Sequence, residues 1–156
     1  MASHRRQAAT AQARYDVVPL PFDGVVYGVN TALICVGHAY AADGAMRAVS
    51  IAPEGVTDLG TLGGAASSAR GINDDGVIVG GSLTRDDLAH HGFIWRDGTM
   101  VDLNVLLTDG RWEVIHALGI NDRGEVVAVA HQDGRDHLVL LKPDGGRADS
   151  AAAAHD

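Results

Sequence analysis

Three points of the sequence place an acid four residues before a base: Asp43 before Arg47, Asp87 before His91, and Asp133 before His137. A carboxylate that orients an imidazole is what a general base needs, provided the ring also reaches a cleft. Asp87 with His91 and Asp133 with His137 are therefore the candidate catalytic pairs, and a working histidine of this kind titrates at roughly pH 6–7. The same spacing also fits an Asp that caps a turn beside a strand-initial base, which carries no chemistry. Around these pairs lie candidate ligand-binding residues: His38, Tyr40, Asp43, His90 and His131 in the variable loops, and Trp112 with Glu113 in a longer connection. Trp112 offers a face on which a sugar or planar ligand can stack, or a plug that packs between sheets.

Other chemistries find no support. There is no H-E-x-x-H and no cysteine pair, so a metal site would need ligands from separate repeats, and none is expected. Cys35 lies in the apolar run Leu33-Ile34-Cys35-Val36, where a thiol behaves as a small hydrophobe. Gly60-Thr61-Leu62-Gly63-Gly64 lacks the Gly-Lys-Ser/Thr of a phosphate loop, and Ser67 and Ser68 sit outside any G-x-S-x-G elbow. No dinucleotide fingerprint occurs, and no cofactor is expected.

What positions these residues is a repeat. Gly28-Val29-Asn30, Gly71-Ile72-Asn73 and Gly119-Ile120-Asn121 are three copies of Gly-apolar-Asn, spaced by 43 and 48 residues. Each is followed by an apolar-small pair (Val36-Gly37, Val79-Gly80, Val127-Ala128) and then by an apolar run (Ala48 to Ile51, Gly92 to Trp95, Leu138 to Leu141). The fourth element, Asp-apolar-x-x-Leu, occurs at Asp58–Leu62, at Asp102–Leu106 and, ahead of the first Gly-apolar-Asn, at Asp16–Leu20. The chain thus opens on the fourth element and closes on the third.

Each element is short, rich in Val, Ile and Leu, and bounded by Gly, Asp, Asn or Pro, the pattern of short strands joined by tight turns. Asn73-Asp74-Asp75-Gly76 and Asn121-Asp122-Arg123-Gly124 put Gly where a hairpin needs left-handed backbone. They lack the further ligands and closing Glu of a calcium loop, so they read as turns.

Gly71 to Gly80, with His91-Gly92-Phe93-Ile94-Trp95 and Asp58 to Gly64, resembles the HAF repeat family, named for a His-Ala-Phe triplet. The triplet survives in part as His91-Gly92-Phe93, and Arg47-Ala48-Val49 and His137-Leu138-Val139 depart further. Asp102 through Trp112 to Gly124, with Leu140 to Pro143, resembles the closing repeat of such proteins. The resemblance spans about residues 16–145 and implies a β-repeat protein of a kind that is often exported. Its motifs are turn formers and strand apolars, so it implies no reaction.

Four strands in each repeat fit a propeller blade, which cannot bury both faces without neighbours. The expected fold is all-β, with three four-stranded, propeller-like blades over residues 15–145. A disordered arm is expected over 1–14 and a disordered tail over 146–156. If Asp16–Leu20 completes the last repeat, it removes an exposed sheet edge. Propellers have about four to eight blades, so three blades point to a homodimer of six. A β-trefoil, also of twelve strands, is the rival.

At 156 residues with 20 acidic and 12 basic side chains, the net charge is −8, which repels a phosphate backbone; nucleic acid is not an expected partner. The apolar runs fall far short of the roughly 18 residues of a membrane helix, and no basic amphipathic stripe points to a membrane surface. The first 14 residues lack the apolar stretch of a secretory signal, so the expected location is cytoplasmic. The leading expectation is a module that binds a small molecule, glycan or protein through one face of its loops. The alternative is a small hydrolase, isomerase or cyclase of specialised metabolism using the Asp/His pairs, and the third possibility is a purely structural dimer.

Overall fold

The computed structural model describes residues 11–144. It holds eleven strands in three antiparallel sheets and no α-helix among the described residues. The first sheet runs β1 (Gly24–Val29), β2 (Cys35–Tyr40), β3 (Met46–Ala52) and β4 (Gly55–Gly60). The second runs β5 (Gly63–Ile72), β6 (Ile78–Thr84), β7 (His90–Arg96) and β8 (Thr99–Asp102). The third has only β9 (Glu113–Ile120), β10 (Val126–Gln132) and β11 (Arg135–Leu141).

The hairpins follow from turn chemistry. Asn73 donates its N–H to the Val77 carbonyl while its Oδ1 accepts from Val77 N at 2.9 Å. Gly76, at φ +78°, supplies the left-handed residue, and Asn121 with Gly124 repeats the arrangement. In the first repeat Leu33 stands at that position with φ +62°, a conformation that crowds Cβ against the backbone. Asp97-Gly98 and Asp133-Gly134 both have positive φ and form two-residue turns between Arg96 and Thr99 and between Gln132 and Arg135.

The sheets pack in chain order. β5 lies against β1, β2 and β3, and β9 lies against β5, β6 and β7, so the second sheet stands between the other two. Its strands alternate accordingly: Ile78 and Phe93 enter a cluster with Val36, Ala48 and Leu59 of the first sheet, and Val79 enters one with Val114, Ala117 and Ala128 of the third. The Gly-apolar-Asn motif is the seam. A Cβ on Gly71 would come within 3.0 Å of the Gly119 Cα, so glycine lets the inner strands approach. The asparagines then tie sheet to sheet: Asn30 Nδ2 donates to the Asn73 carbonyl at 3.1 Å, and Asn73 Nδ2 to the Asn121 carbonyl at 3.1 Å. Alongside, Thr31 N donates to Asp74 Oδ1 and Asp74 N to Asp122 Oδ1, each at 2.8 Å.

Two expectations need correction. Asp16–Leu20 forms no strand and completes no sheet within the chain; residues 11–20 are all exposed. The third sheet therefore has three strands, not four, because the element that would be its outer strand is joined to the first sheet, on the far side of the second. The Asp-apolar-x-x-Leu elements straddle strand ends: Asp102 closes β8, and Leu103–Leu106 forms a 3-10 turn. Of the expected arm and tail, residues 1–10 and 145–156 lie outside the described residues.

Candidate functional site

His91, near the start of β7, meets Asp102 at the end of β8 and not Asp87. Its Nδ1 lies 2.6 Å from Asp102 Oδ2. A carboxylate can only accept, so the contact places the ring proton on Nδ1. Nε2 then faces Glu113 Oε1 at 3.7 Å. Asp102 is fixed in turn: its Oδ1 accepts from the Asn104 backbone N and from Asn104 Nδ2, each at 2.9 Å. Asn104 clamps β9 by donating Nδ2 to the Val114 carbonyl and accepting Val114 N at 2.7 Å. The chain Asn104–Asp102–His91 thus runs from the third sheet to an oriented imidazole.

Asp87 accepts the Ala65 N–H at 2.8 Å and stands at positive φ, so it braces β5 and does not reach His91 as expected. The Asp133/His137 pair is also absent. Asp133 is committed to its two-residue turn, while His137 packs edge-on against Trp112 with ring centroids 5.2 Å apart. Asp43 caps its turn by accepting Ala45 N at 2.9 Å. Turn capping, the chemically silent reading, describes Asp43; Asp133 is a positive-φ turn residue, and Asp87 instead ties a neighbouring strand.

Five candidates do converge. His91, Trp112, Glu113, His131 and Asp133 line one cleft of about 390 Å³ between the second and third sheets. His131 is oriented by Asp136, with Nδ1 2.8 Å from Oδ1. The Leu107–Glu113 connection forms one wall and is stiffened by a two-bond pair from Arg111 Nε and Nη2 to Asp109. These hydrogen bonds from Arg111 hold the Asp109 carboxyl down at about 2. Trp112 also faces a larger, more apolar cavity of about 680 Å³, lined by Leu103, Leu107, Val139 and Leu141. It is both a packing element and a wall of the cleft.

The remaining candidates lie elsewhere. His38 is buried between the first two sheets, with Nδ1 3.0 Å from Ser68 Oγ and its ring between Tyr27 and Tyr40. Burial, and then the charge of Arg70, lower its pKa and disfavour the charged ring. Tyr40 is exposed beside it, away from the cleft. His90 bonds the Ile115 carbonyl through Nδ1 and packs, tilted, against His116 with ring centroids 4.1 Å apart, pinning the second sheet to the third. Among the described residues no group of three His, Cys, Asp or Glu side chains is placed to hold a metal ion.

Asp102 and Asn104 were not singled out by sequence reasoning. The signal was present, because Arg47 to Asp58 and His91 to Asp102 share one spacing across a β-hairpin, and Arg47 Nε lies 4.0 Å from Asp58 Oδ2. In the first two repeats the base and the acid meet across the third and fourth strands.

Comparison with protein-family models, with curated proteins and with solved structures finds no match. Fold and site define an all-β protein of stacked antiparallel sheets with an oriented His–Asp pair at the mouth of an inter-sheet cleft.

Proposed function

We propose that the chain is a β-repeat binding module that takes a small polar ligand, a glycan or similar molecule, in the cleft of His91, Trp112, Glu113 and His131. One observation carries this reading: His91 is locked by Asp102 through Nδ1, so that Nε2 is presented beside Glu113 at the cleft. With an aromatic ring for an apolar face and acids and imidazoles for hydroxyls, the cleft has the mixed lining of a small-molecule site. A second reading, acid–base catalysis on the same ligand, is favoured by the His91–Asp102 contact, which is the orienting bond of a general base.

Three sheets packed in chain order, each an antiparallel meander, support propeller-like blades over a trefoil, and a ring of six blades requires two chains. The Gly-apolar-Asn seams fit the resemblance to HAF repeats.

Saturation-transfer NMR with a panel of neutral oligosaccharides and small planar aromatic acids tests the binding reading. Signals from one class are expected, with at least a tenfold loss in His91→Gln and Glu113→Gln at unchanged Tm. Binding that ignores both substitutions, or no binding by any class, would overturn it.

A further inference from the structure

The two complete sheets bury the apolar residue that follows the aspartate of their fourth element: Leu59 is 6% exposed and Leu103 is 5% exposed. In the third copy, Val17 is 90% exposed, and Tyr15 and Val18 stand in solvent beside it. The third sheet meanwhile ends at β11, whose Leu138 and Leu140 are 78% and 70% exposed. Among the described residues a long apolar edge and an exposed apolar segment are thus both unpartnered, a combination that invites strand addition.

They cannot meet within one chain. Only Pro21, Phe22 and Asp23 separate Leu20 from β1, a reach of about 14 Å. The third sheet lies beyond the second, two face-to-face spacings of about 10 Å away. We propose that Tyr15–Leu20 of a second copy adds to β11 as the fourth strand of the third sheet, and that two copies exchange these segments reciprocally. The inference rests on the two-chain, propeller-like reading and specifies how the two halves are joined.

Side-chain chemistry at the edge agrees. Arg47 faces Asp58 and His91 holds Asp102 across the third and fourth strands. The corresponding base of the last repeat, His137, has no such acid, and its buried Nε2 has no hydrogen-bond partner among the described residues. The other two sheets set the register: Asp58 stands opposite Val49, and Asp102 opposite Phe93. Transferred to the third sheet, this places the partner's Asp16 opposite Val139, beside His137, and Tyr15 opposite Leu140. Val17 then enters the gap between the third sheet of one copy and the first sheet of the other, as Leu59 and Leu103 do in their own gaps. The asparagine ladder also stops here, with Asn121 Nδ2 turned back on Glu125 Oε1 at 2.8 Å for want of a next repeat.

The test combines solution mass with cross-linking. Sedimentation of the full chain is expected to give twice the 16.2 kDa of one copy. Val17→Asp, a change at an exposed position of the single chain, is expected to give one copy's mass with an unchanged far-UV spectrum. In a Cys35→Ala background, Tyr15→Cys with Leu140→Cys is expected to yield disulfide-linked dimers on a non-reducing gel. A wild-type mass of one copy overturns both the two-chain reading and the exchange. A dimer that survives Val17→Asp and forms no disulfide overturns the exchange alone, as does a disulfide closed within one chain.

Discussion

The two gaps between sheets are built from the same repeat and end up different. Between the first and second sheets, Phe93, Ile78, Leu59 and Val36 fill the space, and His38 with Ser68 spans it as a buried hydrogen bond. Between the second and third, the Leu107–Glu113 connection carries most of the lengthening of the repeat from 43 to 48 residues and lines the cleft of His91 and Trp112. A shared scaffold with one lengthened connection makes a pocket where the other gap is sealed.

The largest effect expected from breaking that contrast is Phe93→Ala, which leaves a void in the sealed gap and costs about 3–5 kcal/mol. Urea unfolding that shows a loss under about 1 kcal/mol would mean the first gap is not close-packed. Next comes the ladder. Asn73→Asp removes the amide donor to the Asn121 carbonyl and sets a carboxylate against it, costing about 1–3 kcal/mol. Asn121→Asp, whose side chain bonds only within its own exposed turn, is expected to cost under about 1 kcal/mol. Equal losses would show that the asparagines serve their turns and not the joining of sheets.

Acid should weaken both gaps. Burial, followed by the charge of Arg70, lowers the pKa of His38. Burial, followed by the charges of His90 and Arg70 and partly offset by Asp136, lowers that of His116. A histidine whose folded pKa lies below its unfolded value of about 6.5 binds protons preferentially in the unfolded chain, so stability is intact above that pH and falls as pH drops through it. Tm should therefore decline between pH 8 and pH 5.5, and less steeply in His38→Gln/His116→Gln; parallel declines would assign the loss to other groups. The smallest effect is a gain: Leu33→Gly relieves left-handed strain at an exposed turn, worth up to about 1 kcal/mol once the added chain entropy is subtracted.

The strands, their hairpins and the threefold repeat were legible because each depends on residues close in sequence: Asn73 with Gly76, Asp133 with Gly134, and the alternation through Ile78 and Val79. The acid–base pairing was misjudged for a related reason. Asp87 and Asp133 sit near a base in sequence, but a bond to Ala65 N takes the Asp87 carboxylate and a positive-φ turn takes Asp133, whereas Asp102 reaches His91 only through cross-strand register. A match of Arg47–Asp58 with His91–Asp102 across repeats would have exposed it. The cleft has no sequence signature, since its walls come from β7, β9, β10 and the Leu107–Glu113 connection. The open edge of the third sheet was hidden because the missing element is present in the chain but attached at the wrong end to reach it.

The candidate site depends on an imidazole held by Asp102 and turned toward the cleft. Long-range ¹H–¹⁵N NMR of the histidine-labelled protein at neutral pH reads this directly. It should place the His91 ring proton on Nδ1 in the wild type, with that preference lost in Asp102→Ala. A wild-type His91 carrying its proton on Nε2 alone would contradict the arrangement and the binding site built on it.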